Sequence, residues 1–363
     1  MINFIKEFWT TFIQSTLKRK LMTIILFFIY VCLLGLVFIK MDVVVTTPGL
    51  INNTAQTSNE DKGFVPLTIE TSNISGNIFT IGVYSHYEIS LFQYLIASLS
   101  DDIQISQYDK TSDLSEREEY LRGVIHKEIS IKNAIIVAYE QAKLKDSSIV
   151  IDKQFLGMRV SAVTKESQSN LEIGDLITKF NGVLITDYQH FISLRDLQTN
   201  LDSFDLTIVR DDEEIVVQAK MIELEDDQQN KIYRLAIEAL PDYKINNAFP
   251  EYTLSDELDS IGGSGGAMLT LSIYNSLLNE DVTYGKTIVG TGTISIEGAI
   301  GDIGAVSQKI VTAKLYDVDY FFVNPEDYDE ALMKYQEISP DFTLVKVNYF
   351  QDIIQFLEGE NHE

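Results

Sequence analysis

The 363-residue chain is poor in the residues from which most metal, redox and nucleic-acid chemistry is built. It has one cysteine, Cys32, which excludes a disulfide framework and any cysteine-based metal site. Its four histidines, His86, His126, His190 and His362, lie far apart, with no spacing that would hold zinc. Basic residues are scarce: 28 Lys+Arg face 54 Asp+Glu, a net charge of −26 that repels nucleic acid and anionic headgroups. A phosphate loop is also missing. Gly285-Lys286-Thr287 ends like one, but Glu280 stands where its first glycine belongs. No metal, nucleotide or other cofactor is therefore expected, and no nucleic-acid partner.

What is present begins with an apolar run. Residues 1–20 form a basic, amphiphilic lead ending in Lys18-Arg19-Lys20. Residues 21–39 carry no charge, and at about 1.5 Å per residue a helix there spans roughly the 30 Å of a bilayer core. A cleavable signal peptide has a shorter apolar core and a small-residue cleavage site. Here Lys40-Met41-Asp42 follows directly, so the run reads as an uncleaved anchor in the cell membrane. The basic cluster puts the N-terminus in the cytoplasm and the body outside. Residues 41–363 hold 23 basic and 53 acidic residues, a balance of −30, whose plain reading is solubility.

Residues 41–154 read as a linker and an N-terminal part of the body. Thr46-Thr47-Pro48-Gly49-Leu50 is a turn signal. Strand is expected over 78–84, helix over 91–99, and a long helix over 116–143, where His126 is an ordinary helix residue. Residues 155–222 form a β-rich stretch. Leu171-Glu172-Ile173-Gly174-Asp175-Leu176-Ile177 with Phe180-Asn181-Gly182 resembles the strand-turn-strand of bacterial PDZ domains. By that resemblance Phe155-Leu156-Gly157-Met158 is the loop whose amides capture a peptide end. The bland reading is a small β module that only packs against its neighbour.

Two stretches carry the chemistry. In Ile261-Gly262-Gly263-Ser264-Gly265-Gly266 a serine stands among glycines, and Met268, Leu271, Tyr274/Asn275 and Leu278 follow at helical spacing. Ser264 would then sit at a helix N-terminus, where unpaired amides favour a developing oxyanion. A simple helix cap is the plain alternative. In the second stretch Val306, Lys309, Ile310 and Ala313 share one helical face. A lysine on an apolar face is pushed toward its neutral form by desolvation, unless it snorkels to the edge. Gly262-Gly263-Ser264-Gly265-Gly266 also fits the nucleophile elbow of Ser-His-Asp hydrolases, but only His362 follows it, in a polar tail. A serine with a lysine base fits better.

From Gly262 to Pro325 the chain resembles the proteolytic domain of Lon-type Ser–Lys peptidases. It is most similar to the membrane-anchored, PDZ-containing Lon-like proteases of Gram-positive bacteria. Gly262–Gly266 matches their G-P-S-A-G motif, Thr291-Gly292-Thr293-Ile294 their T-G-x-I strand, and Gly304–Lys309 the motif that ends in their lysine. The departures are Gly263 for proline, Gly265 for alanine and Ala305 for the second glycine before the lysine.

The resemblance implies an α+β fold: a transmembrane helix, a PDZ domain at 155–222 and a Lon-type proteolytic domain at 231–363. The residues from about 78 would pack with that last domain, leaving the PDZ segment as an insertion. It implies catalysis by Ser264 as nucleophile and Lys309 as base, with Thr291 bonding the lysine. The backbone at Gly262, Gly263 and Gly265 would help bind the oxyanion. The activity implied is an ATP-independent serine endopeptidase acting on extracytoplasmic peptide or protein substrates; a homo-oligomer is possible. A PDZ scaffold with a decayed protease fold is the alternative.

Overall fold

The computed structural model describes residues 2–54, 67–68, 76–111, 113–225, 231–254 and 261–360. They fall into two compact units, residues 1–46 with 85–108, and residues 47–84 with 109–363.

The first unit carries two helices, α1 (Ile2–Gln14) and α2 (Leu17–Phe38). Helix α2 has 22 residues and none of its side chains is buried, so it is long and apolar enough to cross a membrane. The start of β1 (Val43–Asn53), the end of β2 (Asn77–Tyr87), α3 (Leu91–Ala97) and β3 (Gln104–Gln107) complete this unit. Strand β3 pairs antiparallel with Val43–Thr46, and Val43, Val45, Ile89 and Ala97 form a small core. The expected turn at Thr46–Leu50 is instead part of β1. A Cβ on Gly49 would stand 2.2 Å from Gly82 O, so this glycine serves close strand approach rather than chain reversal.

The second unit opens with α4 (Glu116–Lys143), started by a capping box between Ser115 and Glu118. A predominantly antiparallel sheet follows, made of β4 (Val150–Val163), β5 (Leu176–Phe180), β6 (Phe204–Arg210), β7 (Glu213–Lys220) and β8 (Ile237–Phe249), with α5 (Tyr188–Asp196) between β5 and β6. The strand order is β8-β4-β5-β6-β7. Met158, Ile177, Phe180, Leu206 and Ile208 fill its core. This sheet reaches further than residues 155–222, because β8 pairs with β4 from Ile237↔Val163 to Phe249↔Val150. Ile237–Leu240, expected in the proteolytic segment, thus belongs to this sheet.

The remaining elements build the other sheet of this unit: α6 (Gly266–Leu277), β9 (Thr287–Gly290), α7 (Val306–Lys314), β10 (Tyr320–Val323), α8 (Pro325–Ile338), β11 (Thr343–Lys346) and α9 (Phe350–Glu360). Strands β2, β9, β10 and β11 are parallel neighbours. Parallel strands need both faces covered. One large cluster joins Ile135 and Tyr139 of α4, Met268 and Leu271 of α6, Ile78, Ile288 and Ile353. Another packs Val306, Ile310 and Ala313 of α7 on Ile81, Val289 and Phe321. Strand β9 ends at Gly290, before the Thr291-Gly292-Thr293-Ile294 stretch that the resemblance reads as strand. Gly292 has φ +153°, and a Cβ there would meet Ile300 Cγ2 at 2.3 Å, so the chain kinks at Thr291-Gly292.

Candidate active site

Helix α6 begins at the glycine run. Gly262 has φ +94°, a conformation that side chains rarely adopt. Gly266 N–H donates to Gly263 O at 3.0 Å and opens the helix just after Ser264, which is itself half-buried. A Cβ on Gly266 would stand 2.5 Å from Ser130 Oγ, so this glycine is demanded by close packing. Gly263 is buried against α4, with His126 O only 3.3 Å from the position of a Cβ.

The kink at Thr291-Gly292 is bonded directly to this loop. Gly292 N–H donates to Ser264 O at 2.8 Å, and Ala267 N–H donates to Gly292 O at 3.1 Å. The Thr291 hydroxyl donates to Ser264 O at 3.3 Å. Lys309 Nζ donates to that same hydroxyl at 2.9 Å. The expected residues Ser264, Thr291 and Lys309 are therefore brought together, with threonine as the link. Because the threonine proton points at Ser264 O, the hydroxyl meets the lysine as an acceptor. A neutral amine bonded in this way keeps its lone pair free.

Lys309 is only 2% exposed. Val306, Ile310 and Ala313 on its helix face are fully buried, as the spacing predicts. Burial brings its pKa down to about 7. The Asp327 carboxylate works weakly the other way. Burial raises Asp327 itself, against bonds from Asn324 and the Ile303 amide. Among the described residues no carboxylate lies within ion-pair distance of Lys309, and no group of three His, Cys, Asp or Glu side chains could hold a metal ion.

Phe155, Leu156, Gly157 and Met158 do not form a loop. They lie inside β4, where Phe155, Gly157 and Met158 face Tyr243, Asp242 and Pro241 of β8 and Leu156 is the extra residue of a bulge. Gly157 (φ +152°) permits a close approach, since a Cβ would meet Ile177 O at 2.4 Å. Long-range pairing, invisible in a four-residue motif, decides this stretch.

Sequence reasoning also missed the part played by α4. Gly262 N–H donates to Gly123 O at 2.8 Å, Ser130 Oγ to Gly263 O at 3.0 Å, and Asn133 Nδ2 to Ile294 O at 2.9 Å. The available signal was Ser130 and Asn133, two small polar residues three apart in the otherwise mostly apolar stretch Ile129–Tyr139. On the same helix Glu238 Oε1 of β8 lies 2.7 Å from His126 Nε2. Partial burial pushes the Glu238 carboxyl up, but its bonds to the His126 side chain and the Arg122 guanidinium outweigh this and hold it down at about 2.

Among known proteins the chain finds distant, partial likenesses. No protein-family profile matches the chain. It is 28% identical over 102 residues to a Lon protease of Metamycoplasma arthritidis, covering 28% of this chain and 12% of that protein. It is 28% identical over 93 residues to a mitochondrial Lon protease homolog of Debaryomyces hansenii, covering 25% of this chain and 8% of that one. The chain spans only about an eighth or less of the length of these relatives. Among solved structures, the PDZ domain of an SdrC-like protein from Listeria monocytogenes matches 23% of this chain and 87% of that chain, with 21% identity and a TM-score of 0.20. Over about a quarter of its length, then, the chain is distantly similar to Lon proteases.

Proposed function

We propose that the chain is a membrane-anchored serine endopeptidase working through a Ser264–Lys309 dyad. The observation that carries this reading is the buried Lys309 amine, brought to a pKa of about 7 and bonded to the Thr291 hydroxyl that also bonds Ser264. A base that sheds its proton near neutral pH can activate a serine. Lys309 takes the hydroxyl proton as Ser264 Oγ attacks the scissile carbonyl. The amides of Ser264 and Gly265 stabilise the oxyanion; the Gly262 amide, expected to join them, is instead taken by Gly123 O at 2.8 Å. The lysinium returns its proton to the leaving amine, giving an acyl-enzyme. Water, deprotonated by the same lysine, then releases the acyl group.

Helix α2 serves as the anchor. Lys18-Arg19-Lys20 at its start retains the N-terminus in the cytoplasm and leaves the catalytic body outside. The β4–β8 sheet presents peptide in the manner of a PDZ domain. Substrates are unfolded or short segments of exported or membrane proteins, cleaved without ATP.

A fluorophosphonate probe tests the reading on the full-length protein in detergent. The wild type should be labelled at Ser264, and Ser264→Ala should lose both the label and casein cleavage, by about a thousandfold or more. Absence of labelling in folded wild-type protein would favour a peptide-binding scaffold instead.

A further inference from the structure

Buried helix hydroxyls usually bond a carbonyl four residues back in their own helix. The buried Thr270 and Thr312 do so here, bonding Gly266 O and Gln308 O, while Ser272 reaches across to Thr54 O. Ser130, 8% exposed on α4, also departs from the rule. Its hydroxyl crosses to another segment and donates to Gly263 O at 3.0 Å.

That bond fixes a direction. The Gly263 carbonyl and the Ser264 N–H belong to one peptide group, and in a trans peptide they point opposite ways. The sole cis bond among the described residues is Phe249–Pro250, so this peptide is trans. Gly263 O receives the Ser130 hydroxyl and also the Gly266 N–H at 3.0 Å. The Ser264 N–H is thereby turned away from both α4 and the first turn of α6, and it has no acceptor among the described residues. The next peptide repeats the pattern. Ser264 O is taken by the Gly292 N–H and the Thr291 hydroxyl, which turns the Gly265 N–H away from them, again without an acceptor among the described residues. The chain leaves two successive amides undirected while it pins both of their carbonyls.

We propose that Ser130 is a positioning residue for the reaction assigned to Ser264: its hydroxyl holds the Gly263–Ser264 peptide so that the Ser264 amide faces the developing oxyanion. This rests on Ser264 being the nucleophile. Ser130 touches no reacting atom. It acts through the Gly263 carbonyl, and Gly266 exists as glycine because a Cβ there would occupy the path of the Ser130 hydroxyl.

The test uses the full-length protein in detergent, a fluorogenic casein-derived peptide that the wild type cleaves, and a peptide boronate that places a hydroxyl in the oxyanion position. Ser130→Ala should lower kcat by about ten- to a hundredfold, the scale of a displaced oxyanion donor. KM should stay unchanged, as should the pH midpoint set by Lys309. Boronate affinity should fall by the same factor as kcat. Ser130→Thr, which keeps the hydroxyl, should recover most of the loss. Ser130→Cys preserves the shape with a weak donor and should lose kcat as the alanine variant does, so it carries the test if Ser130→Ala fails to fold.

A folded Ser130→Ala or Ser130→Cys protein with wild-type kcat and boronate affinity overturns the inference. So does a loss carried by KM or by a moved pH midpoint, which would make Ser130 merely structural. Failure of the underlying reading looks different: the wild type would take no fluorophosphonate at Ser264.

Discussion

Asp242 in β8 and Lys309 in α7 are equally hidden from water, at 1% and 2% exposed, but their surroundings differ in kind. Asp242 is matched on every side. Lys132 Nζ stands 2.6 Å from one carboxylate oxygen, and Arg159 gives the other two bonds of 2.8 and 3.1 Å. Asp175, just before β5, is met by Arg210 at 2.7 Å. At Lys309 a single hydroxyl replaces the counter-ion. A buried charge given its partners is architecture; a buried ionisable group denied one is held in the neutral form, which is the form a base needs.

The comparison breaks most sharply at Lys309→Arg. Arginine keeps the charge and much of the stem but cannot deprotonate near neutral pH. Peptide cleavage should fall by about a thousandfold or more in a protein that circular dichroism shows to be folded. Near-normal cleavage would end the role of Lys309 as base. In the wild type, activity should rise with pH through a midpoint of about 7.

Lys309→Met should also be inactive but more stable than the wild type at neutral pH. The sign follows from the pKa, about 7 when folded against an ordinary 10.5. Between those values the unfolded chain binds the extra proton, so wild-type stability rises with pH across the window. Chemical denaturation at several pH values should therefore show the advantage of the methionine variant shrinking by about 1.4 kcal/mol per unit between them. A gap independent of pH would mean that the lysine is not desolvated.

Asp242→Asn should act in the opposite sense, costing about 2 kcal/mol in denaturant titrations because two cations lose their partner. Both of those cations reach water, at 35% and 30% side-chain exposure, which keeps the loss from being larger. Ala305→Gly should add about 1 kcal/mol. Ala305 opens α7 in the left-handed conformation, φ 60°, which glycine adopts without strain. The thermal midpoint should rise with no change in kcat. The smallest effect belongs to Asp327→Asn. Removing the carboxylate that raises Lys309 should move the midpoint of the pH–activity profile to lower pH, by a fraction of a unit.

Legibility in the sequence followed the range of the interactions involved. Helix α4 was readable to its ends, because Ser115 and Glu118 form a local capping box and the apolar spacing is regular. The apolar face around Lys309 was equally visible, as was the glycine run before α6. Features set by distant partners were not. Phe155–Met158, taken as a loop by its resemblance to PDZ domains, is claimed by β8, and Thr46–Leu50 contains a Pro-Gly pair that β1 absorbs. Leu235–Leu240 looks like the start of a new domain until its pairing with β4 is known. The Ser130–Gly263 bond links residues whose proximity no local pattern encodes.

Strand β2 finds its partner β9 on the far side of the entire second sheet, with Thr80 opposite Gly290. That layout gives folding an order. The β4–β8 sheet closes through contacts within one continuous stretch, which favours early formation. The parallel sheet cannot pair its middle strands until β9 has been synthesised, and α6 and α7 have no finished surface to cover before then. Strand β2, with β1 on its other side, thus waits with the edge meant for β9 unpaired while the nested sheet matures. A nascent chain arrested just before Thr287 should already protect β4–β8 from proteolysis and leave the Ser264 loop open to it.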